Sequence, residues 1–317
     1  MQLINPDLKV DFLGKRKLAM IFSGVLLLLS LGLVAGKGLN FGIDFTGGTL
    51  VEAKFKEAPA IADVREALVP AGYGQAIIQE FGSPEEILIR VQNQDASDSS
   101  KISTDILDAL GVGLGADNVE MRRVEFVGPQ VGEELTQAGL LAVLFAMLAI
   151  LVYVTFRFKL RFAIGADAAL LHDVILVVGI FALTGKEFTL PVVAAILTVI
   201  GYSLNDTIVV FDRIRENFEA NRKRKHPDDE VDVVNASINQ TLARTLMTSL
   251  TTLLVVLSLF LFGGEVIHDF AFALIVGIVV GTYSSIYVAS PTTLFMGITK
   301  EDLMPIQKEN VDINPSP

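Results

Sequence analysis

Two ionisable residues lie inside long apolar stretches of this sequence. Asp206 is in the apolar run 189–212, and Arg244 stands near the start of the run 242–262. A charged side chain within a membrane span costs roughly 3 kcal/mol on insertion scales and marks a functional site by default. A nearby arginine favours the charged form of a carboxylate and desolvation favours the neutral form, so a carboxylate balanced between the two can load and release a proton. The pair therefore indicates a proton relay, with a static ion pair that fixes helix packing as the alternative.

Helical geometry allows the two side chains to meet, either directly or through water. The helical rise places Asp206 roughly 7 Å to one side of the centre of its span and Arg244 roughly 12 Å from the middle of the next. Tyr202 and Ser203 precede Asp206 by four and three residues and are expected to share its face. A polar stripe at i, i+4 and i+7 is predicted on the following helix, made of Arg244, Thr248 and Thr251. These hydroxyls, together with Asn205 next to Asp206, are expected to support the relay.

Other polar motifs in apolar runs are open to two interpretations. His172-Asp173 in the run 162–184 is either a partner of Asp206 or a hydrogen bond that packs helices. Gly277–Gly281 has the GxxxG spacing of closely packed membrane helices, with a gating hinge as the alternative. A metal site is not expected, because the three histidines have no second histidine near them and cysteine is absent. An aspartyl protease pair of Asp173 and Asp206 is disfavoured, since a nearby arginine would not suit such a like-charge pair.

The composition predicts a membrane protein. Apolar residues make up 51% of the 317 residues and charged residues 19%, against about a quarter charged in soluble domains. With a net charge of −11, the chain is not a nucleic-acid binder, because such proteins are usually basic. The first apolar run could also be a secretory signal, but it is longer than usual and more spans follow, so an uncleaved anchor is expected. Six spans are predicted, at 18–35, 138–156, 162–184, 189–212, 242–262 and 270–290.

Lysine and arginine in the short loops predict the orientation. Basic residues cluster before the first span, between the second and third, and in the long loop 213–240. The loops on the opposite side carry Lys186 and no other basic residue. Both termini are therefore expected in the cytoplasm. The predicted division is a cytoplasmic N-terminus (1–17), the first span (18–35), an extracytoplasmic domain (36–137), a bundle of five further spans (138–296) and a cytoplasmic tail (297–317).

The segment between the first two spans reads as a small α+β domain. Thr49–Phe55 alternates as a strand does, and Ile61–Leu68 has helical spacing. The segment continues as strand, strand, helix and strand, with a phase slip between Met121 and Val124 that predicts a β-bulge. The order β-α-β-β-α-β is that of a ferredoxin-like sandwich. Residues 36–135 contain 17 acidic and 8 basic residues, which favours solubility, or else weak attraction of passing basic segments.

Several long motifs resemble the SecD/SecF family of protein-export membrane proteins, in its SecF form. The motifs include Asp44, Gly47 and Gly48 after the first span, Gly128 and Pro129 before the second, and Asn205 in the fourth. The matching segments are Phe41–Gly48, Val124–Gly132, Gly201–Asn217, Arg244–Thr252 and Leu261–Gly264. The resemblance covers about residues 10 to 300. It implies a six-helix half bundle of the RND transporter type, with Asp206 and Arg244 at the positions of the family's proton path.

The resemblance also implies a function in protein export. A member of this family is expected in the bacterial inner membrane with its domain in the periplasm, where it uses the proton-motive force and no other cofactor. The implied partners are SecD, the SecYEG channel, YajC and the exported unfolded polypeptide, with anionic lipids as a predicted contact of the basic loop residues. It is not expected to be an enzyme. The alternatives are half of a small-molecule RND exporter and a non-conducting scaffold of the translocon.

Overall fold

The chain folds into a bundle of long helices with an α+β domain inserted after the first of them. The computed structural model describes residues 9–92 and 96–297, so the first eight residues and the predicted tail beyond 297 lie outside the described part. In chain order the elements are α1 (Arg16–Gly36), β1 (Asn40–Phe41), α2 (Ile43–Thr46), β2 (Gly48–Phe55), α3 (Ile61–Leu68), β3 (Ile77–Phe81), β4 (Ser83–Val91), α4 (Ala96–Leu114), β5 (Val119–Val127), α5 (Pro129–Arg157), α6 (Leu160–Thr184), β6 (Glu187–Phe188), α7 (Leu190–Arg222), α8 (Glu230–Phe262), α9 (His268–Ser284), a π-helical turn (Ser285–Ala289) and α10 (Ser290–Phe295).

Six helical segments of the described chain are long and apolar enough to cross a membrane. They are α1, α5, α6, α7, α8 and the run from Glu265 through α9 to Phe295, which confirms the predicted six spans. About half of the apolar stretch is buried in α6, α7 and the α9 run, at 56%, 44% and 50%. These three form the interior. The corresponding values for α1, α5 and α8 are 17%, 6% and 17%, so these peripheral helices present apolar faces to their surroundings.

The inserted domain is a four-stranded antiparallel sheet in the order β3-β4-β2-β5. Side-chain alternation points Val51, Ala53 and Phe55 into a core shared with α3 and α4. The pairing of β2 with β5 shifts between Glu52 and Ala53, which leaves Arg122 as the extra residue of β5. The predicted bulge is therefore confirmed, and so is the ferredoxin-like order of strands and helices.

The fourth and fifth long helices extend further than the sequence predicted. Residues 213–240 were predicted as a loop, but only 223–229 connect α7 to α8. Charged residues such as Arg213 and Glu216 pair at 3.0 Å along the helix surface, and such pairs stabilise a helix that continues into water. Arg244 consequently lies about four turns inside α8 rather than at its opening.

The domain and the bundle meet at a joint made of β1 and α2 on one side and residues 185–190 on the other. β1 pairs in parallel with β6, matching Asn40 with Glu187 and Phe41 with Phe188. The buried Arg90 of β4 pairs with Glu187 across the joint and donates to the Phe41 carbonyl oxygen at 2.7 Å. A buried charge pair of this kind is costly to break, because the remaining charge stays desolvated. The joint therefore fixes the domain to the loop between α6 and α7.

Asp44, one of the motif residues, binds the start of α7. Its Oδ2 accepts a hydrogen bond from the backbone N–H of Leu190 at 2.8 Å. This N–H belongs to the first turn of α7, whose donors have no partner within the helix. A carboxylate at a helix N-terminus is also favoured by the helix dipole. Asp44 thus couples the inserted domain to the helix that carries Asp206.

Close backbone contacts explain the glycines of the same motif. Gly48 has φ 121°, and a Cβ there would lie 2.5 Å from the carbonyl oxygen of Val91. Gly47 has φ 66°, and its Cβ would lie 2.9 Å from the Cα of Pro129 at the start of α5. Gly128 precedes that proline as the N-cap of α5. Glycine at positions 47 and 48 therefore permits the base of the sheet to approach both β4 and α5.

We expect Gly48→Ala to destabilise the inserted domain. A non-glycine residue in this backbone region costs on the order of 1–3 kcal/mol, and the clash with the Val91 carbonyl adds to that cost. Gly72→Ala is the matched control, because Gly72 has φ 89° and nothing within 4 Å of its Cβ position. Thermal unfolding of the full chain in detergent should show a lower midpoint for Gly48→Ala than for Gly72→Ala. Equal midpoints would show that the Gly48 contact adds nothing to the strain.

The joint should respond to pH through Glu187. Burial raises the pKa of Glu187 above its ordinary value of 4.5, the nearby Asp269 and Asp44 act in the same direction, and Arg90 opposes them. The docked joint therefore binds this proton more tightly than the undocked one. Its stabilising effect is complete below pH 4.5 and is lost as the pH rises through the raised pKa.

Glu187→Gln should remove that pH dependence, because glutamine stays neutral and still accepts from Arg90. The measurement is the hydrogen-exchange protection of residues 40–41 and 187–190, corrected for the intrinsic exchange rate at each pH. Glu86→Gln is the control, since Glu86 pairs with Lys54 at the surface. A pH dependence that survives in Glu187→Gln would assign the titration to another group.

Candidate functional site

A layer of polar side chains crosses the bundle between two apolar clusters. One cluster is built around Phe162 and Phe211, and the other around Phe181 and Ile196. The layer consists of His172 and Asp173 of α6, Ser203, Asp206 and Thr207 of α7, Thr245 and Ser249 of α8, and Thr282 and Ser284 of α9. All of these except Thr282 are buried. Polar groups at such depth must find partners within the protein or in internal water.

Asp173 lies at the centre of the hydrogen-bonded part of this layer. Its side chain is 0% exposed. Its Oδ2 accepts from the hydroxyls of Ser203 at 2.6 Å and Ser284 at 2.8 Å. Its Oδ1 lies 3.0 Å from Nδ1 of His172. Three helices therefore supply donors to one carboxylate. Ser203, predicted to share the face of Asp206, in fact donates to Asp173.

Asp206 is also buried, at 3% exposure, but it is bonded differently. Its Oδ2 is buried without a hydrogen-bond partner. The groups of α8 that act on its carboxylate are the hydroxyls of Thr248 and Ser249 and the charge of Arg244. Of the two contacts with Arg244 that the sequence allows, direct or through water, the direct one is not made in this conformation, since no ion pair within 4.0 Å joins the two side chains in the described chain. Asp206 is thus a desolvated carboxylate with an unused acceptor.

Further polar atoms of α7 and α8 are buried without a hydrogen-bond partner in the protein. They are the hydroxyl oxygens of Tyr202, Thr207 and Thr245. Buried groups of this kind pair with internal water in native proteins. Because several of them lie on α7 and α8 together, this part of the layer has the donor and acceptor groups that a short proton path requires.

Three predicted site residues lie on the outside of the bundle. Arg244 and Asn205 are exposed on the isolated chain, although each lies in a membrane-spanning helix. Thr251 is exposed as well, and its hydroxyl donates to the carbonyl of Met247 in its own helix at 2.9 Å. The structure therefore brings Thr248 but not Thr251 toward Asp206. Exposed polar groups at this depth require cover by another protein surface.

Small residues of α9 allow the layer to close. A Cβ at Gly277 would lie 2.1 Å from a methyl carbon of Val199. A Cβ at Gly281 would lie 3.0 Å from Cβ of Ser203 and 3.5 Å from Oδ2 of Asp173. The GxxxG spacing therefore serves close packing of α9 on α7, as the first of its two interpretations predicts. The same approach brings Ser284 into reach of Asp173.

Two features of the site were not identified from the sequence. Ser284 is one of them, because its bond to Asp173 depends on the packing of α9. The link between α8 and α9, in which the hydroxyls of Ser249 and Thr282 lie 2.7 Å apart, was also missed. The sequence signal for both is a hydroxyl residue within an apolar run, which does not by itself name a partner. Among the described residues no group of three His, Cys, Asp or Glu is placed to hold a metal ion.

Comparison with protein families gives a consistent result along the chain. The model of the SecD/SecF C-terminal region of protein export membrane proteins matches residues 109–299, and that of the SecD/SecF GG motif matches residues 32–59. Protein translocase subunit SecF of Vibrio alginolyticus is 48% identical, over 100% of this chain and 99% of that protein. The same subunit of Magnetococcus marinus is 54% identical over 93% of this chain and 94% of that protein, and that of Escherichia coli O157:H7 is 41% identical over 98% and 95%.

Solved structures show the same similarity. The chain superposes on SecDF of Thermus thermophilus, described as a translocon-associated membrane protein, with a TM-score of 0.81 and 38% identity. The superposition covers 93% of this chain and 39% of the longer SecDF chain. A second SecDF structure, in a super-membrane-facing form, gives a TM-score of 0.67 with 39% identity and the same coverage. The fold, the motifs and the full-length relatives agree, and the chain belongs to the SecF family of protein-export membrane proteins.

Proposed function

We propose that this chain works with SecD as an accessory subunit of the Sec translocase and uses the proton-motive force to assist export of polypeptides. Asp206 is the proposed proton carrier and Arg244 its charge partner. The observation that carries the proposal is the Asp206 carboxylate, buried in the interior of a membrane bundle with an oxygen left unbonded. A carboxylate held at this cost without a closed ion pair is suited to change its protonation state.

Protonation of Asp206 would change the packing of α7 against α8. A charged Asp206 attracts Arg244 across the α7–α8 contact, whereas a neutral Asp206 does not. Such a difference in interaction energy can shift a bundle between two packings separated by a few kcal/mol. The two SecDF structures support the existence of more than one arrangement in this family, since they superpose on this chain with TM-scores of 0.81 and 0.67 at equal coverage.

The exposed polar residues support a heteromeric bundle. Arg244 and Asn205 would face hydrocarbon if the chain were alone, and that arrangement is strongly disfavoured. The helices of a SecD partner, packed on this face, would cover both and complete the surroundings of Asp206. The chain spans only 39% of the SecDF structure that it matches, which leaves room for such a partner within the same assembly.

The joint offers a route from the bundle to the inserted domain. Asp44 binds the first turn of α7, and Glu187 at the α6–α7 connection pairs with Arg90 of the sheet. A shift of α7 would therefore move the domain, which in the proposed orientation lies in the periplasm beside the emerging polypeptide. The basic residues at the helix ends on the other side of the bundle from the inserted domain support this orientation and would contact anionic lipids. Contacts with SecYEG and YajC belong to the same proposal.

We expect Asp206→Asn to abolish the part of export that depends on the proton gradient. Asparagine is nearly isosteric with aspartate but cannot ionise, so packing is kept and proton loading is lost. The measurement is export of a secreted substrate by membrane vesicles containing this chain, SecD and the translocon, with and without an imposed proton gradient. Asp212→Asn is the matched control, because Asp212 lies on the same helix but pairs with Arg157 and Arg215 near the surface.

The outcomes distinguish the proposed proton-driven function from a scaffold and from a small-molecule exporter. An Asp206→Asn complex that assembles normally and keeps gradient-dependent export would show that the proton path lies elsewhere and that the chain is a scaffold. Loss of assembly without a specific loss of gradient dependence would show that Asp206 is a packing residue. Unchanged export with increased drug sensitivity in a deletion strain would favour a small-molecule exporter.

A further inference from the structure

The second carboxylate of the polar layer, Asp173, is held in a complete site of its own. Asp173 is fully buried near the middle of α6. It receives hydrogen bonds from Ser203 and Ser284 on one oxygen and contacts His172 on the other. No lysine or arginine in the described chain lies within 4.0 Å of it. A carboxylate with neutral donors and no fixed cation can exist with or without its proton, because the hydroxyls can rotate to donate or to accept.

The groups that face Asp173 are few and come from three helices. On α6 the titratable neighbour is His172, whose ring stacks on Tyr283 with centroids 6.1 Å apart. On α7 the neighbour is Ser203, and Asp206 lies one turn further along that helix. On α9 the neighbour is Ser284, which follows Tyr283. Nε2 of His172 is buried and has no hydrogen-bond partner, so the imidazole retains an unused site for a proton or for water.

Position along α7 relates the two carboxylates. Ser203 precedes Asp206 by three residues, which corresponds to a rise of about 4.5 Å along the helix. Ser203 is the nearer of the two to the N-terminus of α7, where the inserted domain is attached. Asp173, bonded to Ser203, is therefore on the domain side of Asp206. A proton that enters from that side would meet Asp173 first.

Helix α9 connects the surroundings of the two carboxylates. Its Thr282 shares a hydrogen bond with Ser249, which acts on Asp206. Its Ser284, two residues later, donates to Asp173. The α-helix changes to a π-helical turn directly after Ser284, and such turns occur frequently at functional sites. The π-helical turn is a second observation, separate from the hydrogen bonds, and it begins next to Ser284, one of the donors to Asp173.

We propose that Asp173 is a second proton-binding carboxylate, which passes protons between the domain side of the membrane and Asp206 through the hydroxyls of α7 and α9. In this step Asp173 accepts a proton, its Ser203 and Ser284 contacts reorient, and the proton leaves toward Asp206. His172 holds the carboxylate from its own helix. The inference rests on the proposed function, because it places a second station on the same proton path.

The test uses the complete complex in the vesicle export assay, with Asp173→Asn. We expect it to assemble and to lose gradient-dependent export as Asp206→Asn does, while export without the gradient is unchanged. Asp167→Asn is the matched control, since Asp167 is a half-buried carboxylate on the same helix whose Oδ1 has no hydrogen-bond partner. Gradient-dependent export retained in Asp173→Asn would overturn the inference, whereas only the Asp206→Asn result decides the proposed function.

A spectroscopic measurement covers the case in which Asp173→Asn does not assemble. The infrared absorption of protonated carboxyl groups is recorded on the complex at acidic and alkaline pH, for the unaltered chain and for Ser203→Ala. Ser203→Ala keeps the carboxylate and removes one donor, so a titrating Asp173 must show a shifted carboxyl band. A set of carboxyl bands that is identical in the two complexes would show that Asp173 does not exchange its proton and would overturn the inference.

Discussion

The packing of the bundle depends on supplying hydrogen-bond donors to carboxylates that are buried in an apolar interior. Asp173 takes its donors from α6, α7 and α9, and these are the three helices with the most buried surface. The contacts are short because Gly277 and Gly281 let α9 lie directly against α7. Apolar clusters above and below this layer keep bulk water out, and the low local dielectric strengthens each hydrogen bond. The packing of the core and the chemistry of the site therefore have one physical cause.

The helices that hold the carboxylates are also those tied to the inserted domain. The connection between α6 and α7 carries Glu187 in its pair with Arg90, and α7 begins at the N–H bound by Asp44. The motif glycines allow this arrangement because side chains at their positions would strike the backbone of Val91 or Pro129. In the proposed function, a conformational change at Asp206 would thus reach the sheet by a short covalent and hydrogen-bonded route. A flexible linker at this place would not transmit the change.

Local patterns in the sequence were sufficient for most of the fold. Apolar runs placed six spans, and alternation in β2 and the phase slip before Val124 gave the sheet and its bulge. The extension of α7 and α8 beyond the membrane was missed because charged surface pairs resemble a loop when hydropathy alone is considered. Asp206 could be singled out by its depth. The hydrogen-bond partners of Ser203 and of Asp173 could not be predicted. They depend on which helix packs against α7, and helical periodicity does not contain that information.

The surroundings of Asp206 are incomplete within one chain, because polar side chains next to it lie on the outer surface of the bundle. Asp206 is buried, yet the arginine that acts on it lies on the exposed surface of α8, and Asn205 is exposed beside it. A partner helix on this face would replace hydrocarbon by protein and fix the position of the Arg244 side chain, and the distance to Asp206 sets the strength of their attraction. In the proposed function, the balance between a charged and a neutral Asp206 would therefore be set by the assembled complex. A proton-driven switch of the proposed kind would operate only when both subunits are in place, so an unassembled subunit would not dissipate the proton gradient.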